Sequence, residues 1–330
     1  MLKSAIMSKQ KKVLVAGAGG FIGHHLIKYL KKKGYWIRGV DIKKPEYEDT
    51  WADEFLILDL REKVNTDMVT KETDHVYNLA ANMGGVGFIG TVHAELMRDN
   101  ILIDTNMLEA SYRNGVKKFF YPSSALIYPS DKKESKKNTK LKEEDAYPAK
   151  PDSEYGWEKL FIERLCADYY TDYGFETRVA RFHNIYGPLG TWQGGRERSW
   201  AAICRKIALA SDGGEIEVWG DGEQARSYCY IDDCMEGIYK LMQSDIHEPI
   251  NIGSDRSVSI NELVDIISKI AKKTVKKRYD TSKPQGVRGR NSDNTKILKL
   301  LGWEPLIPLE EGLKQTYSWI KEQVEKAAQL

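Results

Sequence analysis

Residues 11–23 read KKVLVAGAGGFIG, an apolar run from Lys11 to Ala16 that ends in glycines and leads into a helical pattern from Phe21 to Lys33. Gly17, Gly20 and Gly23 recur at three-residue spacing between a predicted strand and a predicted helix, the context that separates a ligand-binding glycine loop from an ordinary turn. Glycine permits the tight turn and lets a pyrophosphate approach backbone N–H groups, while the helix N-terminus adds partial positive charge. Gly34 closes the helix, and Tyr35 to Val40 reads as a second strand ending at Asp41. A carboxylate there accepts hydrogen bonds from adenosine ribose hydroxyls and repels a 2′-phosphate, so NAD is favoured over NADP. Lys43 and Lys44 blunt that preference. Asp59 and Leu60, after a third strand, suit an adenine contact, although a loop aspartate is often only a turn former.

The same alternation continues outward. Strand-like runs at Phe55–Leu58, His75–Leu79, Lys118–Tyr121 and Thr177–Arg181 are separated by longer helical segments, notably Ala94–Asn114 and Glu154–Tyr173. This pattern predicts an α/β fold, a Rossmann-type doubly wound parallel sheet over residues 11–182. After Arg181 the alternation stops. The loop Gly187–Gly195, the helices Trp200–Ala210, Ile260–Lys272 and Leu309–Lys326, and the strands Glu215–Trp219 and Pro249–Ile252 predict a smaller substrate-binding lobe over 183–330. Some of its strands are expected to return to the main sheet. Residues 1–10 read as a flexible N-terminus, and the charge run Asp131–Lys142 reads as a solvated surface loop.

Composition narrows the function classes. The 330 residues carry 50 Lys and Arg against 48 Asp and Glu, a net charge of +2, and 41% are apolar. A balance this even gives no reason to expect nucleic acid or a membrane surface as partner. No apolar run approaches the ~20 residues of a membrane helix, and no signal peptide is evident. Cys166, Cys204, Cys229 and Cys234 lack metal-ligand spacing and are few for a disulfide scaffold, so a cytoplasmic protein without a metal is expected.

Tyr155 and Lys159 stand at i, i+4 on a predicted helix, on one face. Ser123-Ser124 ends the fifth strand, where a doubly wound sheet opens its crevice. A tyrosine can move a proton at a sugar hydroxyl while hydride moves to nicotinamide, if its pKa is lowered by a neighbouring ammonium. Ser124, Tyr155 and Lys159 are therefore the candidate catalytic set, with Tyr155 and Lys159 also touching the cofactor.

Together these residues resemble the extended short-chain dehydrogenases/reductases that act on nucleotide sugars. The longest matches are similar to the GDP-mannose 3,5-epimerases within that family: AGAGGFIG (16–23), NLAANMGGVGF (78–88), FFYPSSALIYP (119–129), YGWEK (155–159), RFHNIYGPLGTWQGGRER (181–198), WGDGEQARSY (219–228), NIGSD (251–255) and GVRGRNSDN (286–294). The resemblance implies that Phe21, Ile22 and Ala80 join the NAD contacts. It also implies that Gly84, Gly85, Ser124, Asn184, Arg198, Lys206, Gln224, Arg226 and Arg288 line a nucleotide-sugar site, with a homodimer as the assembly. Arginines suit a diphosphate because they bind it bidentately.

The departures from that pattern matter as much. The family's acid/base cysteine and lysine positions are Leu126 and Arg198 here. Leucine carries no proton, and arginine is a poor general base. The carboxylates that sister dehydratases and decarboxylases place at 125–126 are missing too. The expectation is chemistry at C4 of a GDP-linked manno-type hexose or heptose through a 4-keto species, as a 4-epimerase or a C4 dehydrogenase. Two alternatives stay open: 3,5-epimerisation with His183 or Tyr128 as substitutes, and a non-catalytic NAD(H)-binding regulator.

Overall fold

A computed structural model describes residues 10–134 and 139–329, so the terminus expected over 1–10 lies, apart from Gln10, outside the described residues. Strand β1 (Lys12–Ala16) buries Val13, Leu14, Val15 and Ala16 on both faces, as a central parallel strand requires. It pairs in parallel with β2 (Trp36–Asp41) on one side and β4 (His75–Asn78) on the other. Beyond β2 lies β3 (Glu54–Ile57), and beyond β4 lies β5 (Lys118–Ser124). With β6 (Glu176–Phe182) and the strand Ile250–Ile252, the seven-stranded sheet runs Ile250–Ile252, β6, β5, β4, β1, β2, β3. The chain order reverses between β1 and β4, and a doubly wound sheet binds ligand beyond the strand ends at such a point.

The chain forms two compact units, one reaching to Ala80 and including Leu102–Phe120, the other made of Ala81–Ile101 and Tyr121 onward. Ser124, Tyr155 and Lys159 belong to the second. That unit also holds a small sheet in which Ala225–Ser227 pairs with Ser257–Ser259 and Gly289–Arg290, and a parallel pair formed by Glu215–Trp219 and Lys276–Asp280. Its C-terminal helix Leu309–Ala327 packs on the helices Ser199–Leu209 and Ile260–Ala271. The helix Ile231–Gln243 is one the sequence reading did not anticipate, and it buries Cys234, Met235, Ile238, Leu241 and Met242. No described helix is long and apolar enough to cross a membrane.

The charge run 131–142, expected as a solvated loop, exposes Asp131, Lys132, Glu134, Lys140 and Lys142, but departs from that expectation at Lys133 and Leu141, while 135–138 lie outside the described residues. Lys133 is 0% exposed and Leu141 is buried. The Lys133 ammonium donates to Asp152 Oδ2 at 2.9 Å, and Leu141 joins a core cluster with Ala125, Ile127, Tyr128, Ala146 and Leu160. A lysine can be buried when a carboxylate meets its charge, and that partner comes from a segment the local pattern does not contain.

Candidate active site

The glycine loop is shaped as a cradle. Gly17 has φ +76°, and a Cβ there would lie 2.6 Å from the Leu79 carbonyl carbon and 2.7 Å from the Ala80 nitrogen. The helix α1 (Phe21–Lys32) starts from Gly20 with no side-chain cap and no acidic residue in its first turn, so its positive end is left for an anion. Asp41 Oδ2 accepts from the Gly19 N–H at 2.9 Å and Oδ1 from the Lys43 N–H at 3.2 Å. Burial raises the Asp41 pKa, opposed by those N–H groups. A rigid carboxylate beside an uncapped glycine loop fits the ribose and pyrophosphate of NAD. Leu60 is buried, whereas both Asp59 oxygens are engaged by the Arg61 guanidinium.

The helix Glu154–Tyr173 starts at Ser153, whose Oγ accepts from the Gly156 N–H at 3.3 Å. Gly156 allows close packing: a Cβ there would lie 2.6 Å from the Leu126 carbonyl oxygen and 2.9 Å from Pro151 Cβ. The neighbouring turn Ala125–Ile127 is capped by Ser124, whose Oγ accepts from the Leu126 N–H at 3.2 Å. Tyr155 and Lys159 are both buried, and the Lys159 ammonium stands 5.4 Å from the Tyr155 ring centroid and 4.8 Å from that of Tyr121. Glu158, which the sequence reading passed over, is fully buried and lies 3.3 Å from the Lys159 ammonium. It also accepts from the Tyr121 hydroxyl at 3.3 Å and from Asn100 Nδ2 at 3.4 Å.

Within the same unit opens a cavity of about 720 Å³. Gly84, Gly85, Leu126, Asn184, Arg198, Lys206, Gln224 and Arg226 line it, so most of the expected substrate residues meet there. Asn184 adopts φ +45°, which asparagine tolerates, and its Nδ2 donates to the Ser227 carbonyl at 2.9 Å. Gln224 donates to the Trp219 carbonyl at 2.9 Å while its buried Oε1 has no hydrogen-bond partner among the described residues. Burial lowers the pKa of Arg198, with Tyr155 close enough to oppose the shift.

Ser124 and Arg288 are not among the lining residues; Arg288 instead bonds Asp221 at 2.8 Å. Arg290, missed in the sequence, does line the cavity, and β-register sets it beside Arg226. Burial and the Arg226 charge push its guanidinium well below the ordinary value, and its buried Nε has no partner among the described residues. Two guanidiniums held out of water, with Asp152 the one carboxylate among the described residues near enough to oppose their charge, suit an incoming anion. Neither substitute base suggested by sequence reaches this cavity. His183 is fully buried, bonded to Asn251 at 3.0 Å and driven by burial to a pKa of about 3. Tyr128 donates to the same Asn251 oxygen at 2.6 Å.

The family description "NAD dependent epimerase/dehydratase" matches residues 13–253. The chain belongs to that family. Its fold, NAD requirement and standing as an enzyme follow from membership, which sets aside the regulator reading. Among curated relatives, GDP-mannose 3,5-epimerase 1 of Oryza sativa subsp. indica is 51% identical over 97% of this chain and 84% of its own. A probable GDP-L-fucose synthase 1 of Oryza sativa subsp. japonica is 30% identical over 97% of this chain and 95% of its own. Among solved structures, the UDP-glucose 4-epimerase of Thermotoga maritima superposes with a TM-score of 0.84 at 27% identity, covering 95% of this chain and 99% of that one.

Proposed function

We propose that this member of the family oxidises C4 of a GDP-linked hexose or heptose of manno type and leaves C3 and C5 untouched. The observation that carries the reading is the cavity wall itself. Leu126 and Arg198 line it, the buried Tyr155 stands close enough to Arg198 to act on its charge, and neither Leu126 nor Arg198 can shuttle a proton at neutral pH. The cradle at Gly17–Gly23 and Asp41 would hold NAD, which supplies hydride acceptance and return. Tyr155 takes the proton of the C4 hydroxyl, the Lys159 charge favours its phenolate, and Ser124 holds the same oxygen. Arg226, Arg290 and Lys206 bind the diphosphate. Reduction of the ketone from its other face makes the enzyme a 4-epimerase; release of the ketone makes it a C4 dehydrogenase. Exposed Trp157 and Phe161, four residues apart on the helix Glu154–Tyr173, support a homodimer, which light scattering would read as twice the chain mass.

The deciding experiment runs the reaction with GDP-mannose in heavy water and locates deuterium by NMR. Positioned acid/base groups contribute ~10²–10⁴-fold, so without them exchange at C3 and C5 should fall far behind turnover. Label entering C3 and C5 at the turnover rate would instead favour 3,5-epimerisation, the reading that the 51% identity to the rice enzyme supports.

A further inference from the structure

Several cations on the cavity wall offer a sugar donors, and Gln224 Oε1 is a buried acceptor beside them. Arg198, Lys206, Arg226 and Arg290 line the cavity, and such cations donate hydrogen bonds without accepting them. A sugar hydroxyl that accepts from an arginine still carries a proton in need of an acceptor. Among the described residues four carboxylates reach the wall, and two of them, Glu197 and Glu217, have both oxygens engaged. Glu197 accepts from Arg205 at 2.9 Å and from the Gly195 N–H at 2.7 Å. Glu217 accepts from Trp219 Nε1 at 3.0 Å, and Glu154 pairs with His93 at 3.0 Å on the exposed rim.

Asp152, like Glu154, keeps one oxygen free among the described residues, but it is the less exposed, its side chain 20% against 49%. Its Oδ2 is held by the Lys133 ammonium at 2.9 Å, while nothing among the described residues hydrogen-bonds its Oδ1. It lies three residues before Tyr155, close enough to Arg226 and Arg290 to act on the charge of both. Left alone, a carboxylate there would fold onto a guanidinium in a bidentate pair and withdraw it from any ligand. We propose that Asp152 reads the sugar of the substrate through Oδ1, and that Lys133 is a positioning residue that keeps Asp152 off Arg226 and Arg290. The proposal rests on the nucleotide-sugar reading above. The burial of Lys133 supports it. Burial, aided by the charges of Arg290 and Arg226, pulls that ammonium down to about 8 against the attraction of Asp152, which is the carboxylate that meets its charge.

The test is calorimetry on NADH-saturated protein, which cannot oxidise the sugar. The probes are GDP-mannose against GDP and UDP-glucose against UDP. Wild type should prefer a sugar conjugate to its bare diphosphate. Asp152→Asn should cut that preference by about tenfold or more while moving diphosphate affinity less than about threefold. The double variant Lys133→Met/Asp152→Asn removes the unpaired ammonium and should behave alike. Lys133→Met alone should weaken bare diphosphate as well, because Asp152 then takes an arginine; a merely structural lysine would lower the melting temperature and leave affinity alone. If both Asp152 variants keep the preference, or lose sugar conjugate and diphosphate equally, the proposal is wrong. If wild type shows no preference for either conjugate, the nucleotide-sugar reading falls first and takes this proposal with it.

Discussion

Tyr155 and Lys159 are the pair on which the proposed chemistry turns, and their i, i+4 spacing together with Ser123-Ser124 at the end of the fifth strand made them visible. Tyr155→Phe keeps the ring and its packing while removing the one atom that can move a proton. Turnover should fall by a factor on the order of 10² or more with NAD binding nearly unchanged, read by steady-state kinetics beside cofactor titration. Near wild-type turnover would take tyrosine out of the mechanism. Other residues were less legible for identifiable reasons. Glu158 looks like an ordinary solvent-facing helix glutamate until Lys159, Tyr121 and Asn100 are found around it. Arg288 and Arg290 are equivalent as letters, and only the register Arg290 opposite Arg226 separates them. Lys133 sat in a run of charges whose neighbours gave no hint of burial.

At the scale of elements, the strands of the main sheet fall within a residue or two of the sequence reading, and β5 ends at Ser124, where the fifth strand was expected to end. Their apolar runs and glycine stops are local signals. The helix Ile231–Gln243 was missed because its strongly polar opening, Ile-Asp-Asp, follows the short strand Cys229–Tyr230 without a turn signal. Packing between elements yields its own prediction at Gly156. Alanine inside a helix ordinarily stabilises by ~0.5–1 kcal/mol relative to glycine. Here the added methyl would stand 2.6 Å from the Leu126 carbonyl oxygen and 2.9 Å from Pro151, neither of which is a flexible side-chain end. Overpacking costs typically ~1–3 kcal/mol, so the clash should win. Gly156→Ala should lower the thermal midpoint and, by shifting the turn that Ser124 caps, lower kcat as well. A stabilised variant would mean that the helix slides away at no cost.

For the molecule as a whole, the buried histidines set a limit on the acid side. Among the described residues the first compact unit holds two, His24 and His75, and the second holds His183. Burial lowers the His75 pKa to about 4 and that of His183 to about 3, against an unfolded value near 6.5. Between those values the unfolded chain binds protons that the folded chain refuses, so stability is full above about pH 6.5 and drains as pH falls toward 4. Each histidine contributes a slope of up to about 1.4 kcal/mol per pH unit inside that window. The carboxylates with depressed values, such as Asp74 and Glu48, lose their contribution only at lower pH. Asp41 and Glu143, raised by burial, push weakly the other way. The melting temperature should therefore hold steady from pH 8 to about 6.5 and then fall well before the carboxylates titrate. His75→Gln, which keeps a polar side chain but takes no proton, should flatten part of that fall if the variant folds. An unchanged slope in His75→Gln, with a normal melt at pH 8, would show that His75 is not the group being charged.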